Sequence, residues 1–254
     1  MPTLALDNPN LKAKIELAKK YGDKVKSVSL AYNAELSRLW NRHLTLLQKA
    51  SINSQYADSI LDSLIDSLRE LLSRVIAGVI ALAMEKEEMQ DENMGELIPL
   101  MVAQCNVAYY NDTLDKYKGI LREEIAFAVE NGYLDELPIF LENPLAYLSL
   151  KQHGLIDFKE SVKDAGKGVS YSFSENMKKL GISVAAMAFT NAQFSIWNQN
   201  SGIIGYFGVR NSNYPCAMCD EQAYQFVPMS AGMIYPLHNR CVCVPVYLTQ
   251  NDLS

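Results

Sequence analysis

The chain has 254 residues, 49% of them hydrophobic, and five cysteines, four of which fall between Cys216 and Cys243. That length can bury one large core or two ordinary ones without covalent staples, which excludes a small disulfide scaffold. A count of 23 Lys+Arg against 29 Asp+Glu leaves a formal charge of -6, so the surface as a whole is no nucleic-acid footprint, which needs clustered cations to release counterions from phosphates.

The opening residues Met1-Pro-Thr-Leu-Ala-Leu-Asp7 lack a basic stretch followed by an apolar core, so the expectation is synthesis in the cytoplasm with reduced thiols. From about Asn10 to Asn200 the sequence follows the helical period. Val25, Val28, Tyr32, Leu36, Leu39, Trp40, His43, Leu44 and Leu47 recur at steps of three and four, predicting a helix from Asp23, as N-cap, to Ala50. His43 lies on that apolar stripe and reads as a satisfied core histidine. A second stripe, Leu61, Leu64, Ile65, Leu68, Leu71, Leu72, Val75, Ile76, Val79 and Ile80, predicts a helix from near Ser54 to beyond Met84. Its small residues Ala77, Gly78, Ala81 and Ala83 predict close packing against another helix. The longest apolar run, Val75 to Met84, is about half the roughly 20 residues a spanning helix needs, so no membrane span is expected.

The run Glu85-Lys-Glu-Glu-Met-Gln-Asp-Glu-Asn93 reads as a solvated face. A carboxylate metal site would need oxygens converging on one point, and consecutive helical charges diverge. A further helix is predicted from Pro99 or Val102 to Asn131, interrupted at Gly119 and stopped by Asn131-Gly132. On it Cys105, between Ala103 and Val107, reads as a buried structural thiol. Short segments Asp135 to Leu141 and Pro144 to Gln152 follow, with His153 closing the second. Gly166-Lys167-Gly168 fails as a phosphate loop, because Ser161 stands where the first glycine is required and Gly168 where a Ser or Thr is. The last predicted helix runs from Ser174 to Trp197, and two strands are expected beyond it, Ile203 to Val209 and Cys241 to Leu248. The fold class is therefore mainly α: an elongated helical body over residues 1–200 and a small β-containing zinc-knuckle module over 201–254.

That module carries Pro215-Cys216-Ala-Met-Cys219 and then Pro236-Leu-His238-Asn-Arg-Cys241-Val-Cys243. Two thiols separated by two residues can face one ion from a tight turn, and the second group returns about 18 residues later, as in two-pair zinc sites. Five donors, Cys216, Cys219, His238, Cys241 and Cys243, compete for four tetrahedral positions around one structural zinc. The expected set is Cys216, Cys219, His238 and one of Cys241 or Cys243, which share a face if they lie two apart on a strand. Two other readings keep the module free of metal, with the thiols as small buried hydrophobes or paired as disulfides. Pro215-Cys-Ala-Met-Cys219 also matches half of the zinc deaminase signature. That chemistry needs His-x-Glu, and His43, His153 and His238 are followed two positions later by Thr45, Leu155 and Arg240. A thiol enzyme using Cys216 or Cys219 with His238 has only its residue types in its favour.

Gly202-Ile-Ile-Gly-Tyr-Phe-Gly-Val209, Cys216-x-x-Cys219, Phe226-Val-Pro228, the Pro236-to-Cys243 pattern and Pro245-Val246 together resemble the C-terminal signature of phage Mu F-like minor head proteins, the head morphogenesis family. The resemblance spans about Met187 to Leu248. Ala223-Tyr-Gln-Phe226 departs from the family's usual Asp-Gly turn, as do Val242 and Phe189-Thr-Asn191 from its usual residues. It implies a non-enzymatic virion protein, made in the host bacterial cytoplasm, that assists head assembly at or near the portal vertex. Its partners would be the portal or major capsid protein, with packaged DNA a weaker third. Residues 201–254 carry Arg210 and Arg240 against Asp220, Glu221 and Asp252, which does not favour DNA contact by this module. The alternative is a toxin-like effector, a thiol- or metal-dependent enzyme of nuclease class, with the cysteine module as its active region.

Overall fold

The computed structural model describes residues 4, 6–50, 54–87, 92–133, 135, 137, 141, 173–211, 216–236, 241 and 243–253. Four long helices dominate these: α1 (Pro9–Ala50), α2 (Ser54–Lys86), α3 (Glu92–Asn131) and α4 (Phe173–Trp197). After them come β1 (Ile203–Val209), a short α5 (Ala217–Gln222), β2 (Val227–Pro228) and β3 (Val244–Thr249). The mainly helical architecture with a small C-terminal sheet is thus as the residue patterns indicate. Among the described residues no helix is long and apolar enough to cross a membrane.

Helix α1 starts well before Asp23. The Asn8 side-chain oxygen accepts from the Asn10 N–H at 2.9 Å, and Pro9 opens the helix, where its missing N–H costs nothing. Leu11, Ala18 and Tyr21 extend the buried stripe back from Val25. His43 is buried, with Nδ1 2.9 Å from the Leu39 carbonyl oxygen. On α2 every member of the apolar stripe is buried. Of its small residues Ala83 is fully buried on the core face, as close packing requires, whereas Ala77 and Ala81 are exposed and a Cβ on Gly78 would meet nothing within 4 Å, so Ala77, Gly78 and Ala81 do not serve it. They sit off the face that Leu72, Val75 and Val79 present to the core.

Helix α3 begins at Glu92 and continues through both Pro99 and Gly119. A helical glycine costs about 1 kcal/mol relative to Ala, and burial of Leu114, Leu121, Ile125 and Ala128 on one stripe outweighs it. The predicted stop is present: Gly132 takes φ +73°, and the Tyr133 N–H reaches the Ala128 carbonyl at 2.9 Å. The acidic run is not wholly a solvated face. Lys86 and Glu87 have side chains only 4% and 6% exposed and pair at 2.5 Å, and the Gln193 amide donates to Glu87 at 2.8 Å. The segments expected at Asp135–Leu141 and Pro144–Gln152, with His153 and the Gly166 to Gly168 stretch, lie wholly or mostly outside the described residues, as does the side chain of Cys105.

The chain divides into two compact units. Met1–Ala31, Leu72–Ala108 and Gly181–Ser254 form one, and Tyr32–Leu71 with Tyr109–Leu180 form the other. In the second, Trp40 packs on Phe173 with ring centroids 4.5 Å apart, the Tyr32 hydroxyl donates to the Met177 carbonyl at 2.9 Å, and Arg69 bridges to Asp115 at 2.7 Å. In the first, the three strands form an antiparallel sheet in the order β2-β1-β3. Lys14 pairs with Asp252 at 2.7 Å, which ties α1 to the residues after β3. Burial alone would raise the Asp252 carboxyl, but the Lys14 ammonium and the Thr249 N–H and hydroxyl outweigh it and hold it below the usual carboxylate range.

Candidate metal centre

Strand β1 matches its expected limits, whereas β3 begins at Val244 rather than Cys241. The reason is register: β1 ends at Val209, which faces Val244, so no partner strand remains for the residues before it. Cys241 and Cys243 therefore stand beyond the ladder, where their thiols are free of the strict alternation of a strand.

Cys216 is the N-cap of α5, extended at φ -145° and ψ 101°, and its sulfur accepts from the Cys219 N–H at 3.4 Å. This Cys-x-x-Cys turn puts a backbone N–H on a thiol and directs the Cys219 side chain inward. The Cys219 and Cys241 sulfurs lie 3.7 Å apart. Those of Cys219, Cys241 and Cys243 all lie within 4.8 Å of one another, and each of the three residues is buried. Cys216, half-buried, stands nearby and is hydrogen-bonded to Cys219. None of the four is in a disulfide.

The cluster is held on an aromatic shell. Trp197, at the end of α4, lies 6.1 Å from Tyr206 of β1, which lies 6.1 Å from Tyr235. The Tyr206 hydroxyl donates to the Gly232 carbonyl at 2.5 Å and accepts from the Ile234 N–H at 3.0 Å, which fixes the approach to Tyr235. The Tyr235 hydroxyl donates to Gln222 at the end of α5 at 3.2 Å, and its own carbonyl accepts from the Thr190 hydroxyl of α4 at 3.1 Å. Gly208 makes this possible, because a Cβ there would fall 2.2 Å from the Tyr235 ring. These residues were not identified as part of the site from sequence; a buried strand pattern with two glycines and two aromatics was the available signal.

Electrostatically the site favours neutral groups. Burial pushes the Cys219 thiol up to about 12, and contact with Cys216 adds to this. Cys243 is raised further by its hydrogen bond with Cys241 and by burial. Without a cation Cys219 and Cys243 keep their protons; a soft divalent ion would displace them and supply the charge that burial withholds. Buried Cys219, Cys241 and Cys243, with Cys216 beside them, could bind a metal ion. His238 lies outside the described residues. Comparison of the chain with protein-family models, curated proteins and solved structures gave no match.

Proposed function

We propose that the chain is a structural minor head protein of a tailed bacteriophage, assisting head assembly at or near the portal vertex, with one structural zinc in its C-terminal module. One observation supports this reading above others. The segments that carry the sequence resemblance, β1, the Cys216-x-x-Cys219 turn, β2 and Cys241-x-Cys243 with β3, pack as one piece around converging thiols. A structural role also suits the burial: Cys219, Cys241 and Cys243 are at most 4% exposed, whereas a catalytic metal keeps a position open to substrate. The partners proposed are the portal or major capsid protein, and the location is the virion. Residues 201–254 have a net charge of -1, which weighs against packaged DNA as a partner of this module.

The test is mass spectrometry of density-purified particles from cells producing the phage, with co-sedimentation of the tagged chain on portal assemblies. The expected result is a fixed copy number per particle and recovery with the portal. A chain found only free in the lysate would overturn the assembly role and favour the effector reading.

A further inference from the structure

We propose that Cys216, Cys219, Cys241 and Cys243 form a closed four-thiolate zinc site, with both cysteines of the second pair as ligands and no position for His238. This rests on the reading that the module binds zinc, and it changes the ligand set expected from spacing alone. Three lines carry it.

The first is distance. Zinc holds thiolate sulfur at about 2.3 Å, so the corners of a regular tetrahedron lie about 3.8 Å apart. Cys219 and Cys241 already stand at 3.7 Å, and Cys243 lies within 4.8 Å of both, so three corners need little movement. The second is the turn. The Cys219 N–H donates to the Cys216 sulfur at 3.4 Å, and Cys216 also meets the Cys219 thiol, so the fourth sulfur stands beside Cys219, outside the tight trio, and has only to swing in to close the set. Such an N–H stabilises a thiolate once the proton is gone. The third is the ladder: β3 pairs only from Val244, which leaves both Cys241 and Cys243 to turn toward one centre. Four sulfurs fill a tetrahedral ion. A polynuclear iron cluster would hold its thiolates farther apart, since its own sulfides stand between them, so a single ion fits the spacing better.

The experiment uses the full chain, purified under reducing conditions and loaded with zinc, and counts the neighbours of the metal by X-ray absorption at the zinc edge. Four sulfur neighbours and no nitrogen are expected. In parallel, cobalt(II) titration of the chain should give tetrahedral ligand-field bands with intense sulfur-to-cobalt charge transfer. His238→Ala should leave that spectrum and the cobalt affinity unchanged, while Cys241→Ser and Cys243→Ser should each lose part of the charge-transfer intensity and bind at least tenfold more weakly. Three sulfurs with one nitrogen, or a His238→Ala spectrum that shifts while one cysteine variant stays silent, would overturn the ligand set and leave zinc binding standing. Failure of the wild-type chain to take up zinc or cobalt would instead overturn the metal reading itself. The absorption measurement needs no variant, so a misfolded substitution does not block the test.

Discussion

Single residues in this protein carry sharply different burdens. Gly208 is needed for space: the Tyr235 ring occupies the volume that a Cβ would take, and the β1–β3 ladder holds Gly208 in register opposite Pro245. Gly208→Ala should destabilise the fold by about 1–3 kcal/mol through overpacking, read as a lower urea midpoint with an unchanged slope; an unshifted midpoint would mean that the ring moves aside freely. Glu124 shows the opposite problem. It is 3% exposed on α3, and burial, helped by the neighbouring Glu123 charge, pushes its carboxyl up to about 8. Below the ordinary carboxylate range both folded and unfolded chains hold that proton, so stability is unaffected. As pH rises toward 8 the unfolded chain releases it first, and stability falls until the folded pKa is passed. Glu124→Gln removes the ionisation. The variant should therefore match the parent near pH 4 and exceed it at pH 9 by at most about 5 kcal/mol. Parallel denaturation midpoints at both pH values would mean that Glu124 ionises in place without cost.

At the scale of elements, the helices follow their apolar stripes more closely than their punctuation. Gly119 reads as a break in the sequence, yet α3 runs through it, and a Cβ there would meet nothing within 4 Å. Gly119→Ala should accordingly stabilise the protein by about 0.5–1 kcal/mol, measurable as a raised thermal midpoint; destabilisation would indicate contacts that the open space does not suggest. The same comparison explains what could be read in advance. Ten apolar residues on one stripe define α2 without ambiguity, because only one helical face can bury them all. The start of α1 was missed although Asn8-Pro9 is a good capping pair, because the stretch from Leu11 to Tyr21 is diluted by lysines and its buried positions include the small Ala18. Burial of Lys86 and Glu87 was hidden for another reason: it depends on Gln193, more than 100 positions away, and local pattern carries no trace of such a partner. At the cysteines, residue types and spacing pointed to thiols that come together, and Cys219, Cys241 and Cys243 do stand within 4.8 Å of one another with Cys216 nearby. That Cys241 and Cys243 can both turn toward Cys219 depends on where the β1–β3 ladder ends, which no local rule supplies.

For the whole molecule, what matters is how the cysteine module is joined to the helices. The sheet and the thiols share their compact unit with the first turns of α1 and most of α4. Thr190 of α4 donates to Tyr235, Lys14 of α1 pairs with Asp252, and Gly22 allows Val244 and Asn211 to approach so closely that a Cβ would fall 2.8 Å from the valine and 2.3 Å from the asparagine amide. The metal proposed to fasten Cys216, Cys219, Cys241 and Cys243 would therefore restrain helix contacts as well as the turns that bear the thiols. Stabilisation by a ligand that binds only the folded form grows as RT ln(1 + [L]/Kd), about 4 kcal/mol at a thousandfold excess over Kd, which is roughly 8–16 °C in a chain of this size. Removing the proposed zinc with a chelator under reducing conditions should lower the melting temperature by that order. In hydrogen exchange, protection should fall together at residues 203–209, 243–249, 11–25 and 181–197, while residues 54–71 and 109–131 keep theirs. Loss confined to residues 203–253, with α1 and α4 unaffected, would instead mean that the sheet and its cysteines form an independent module that merely rests on the helices.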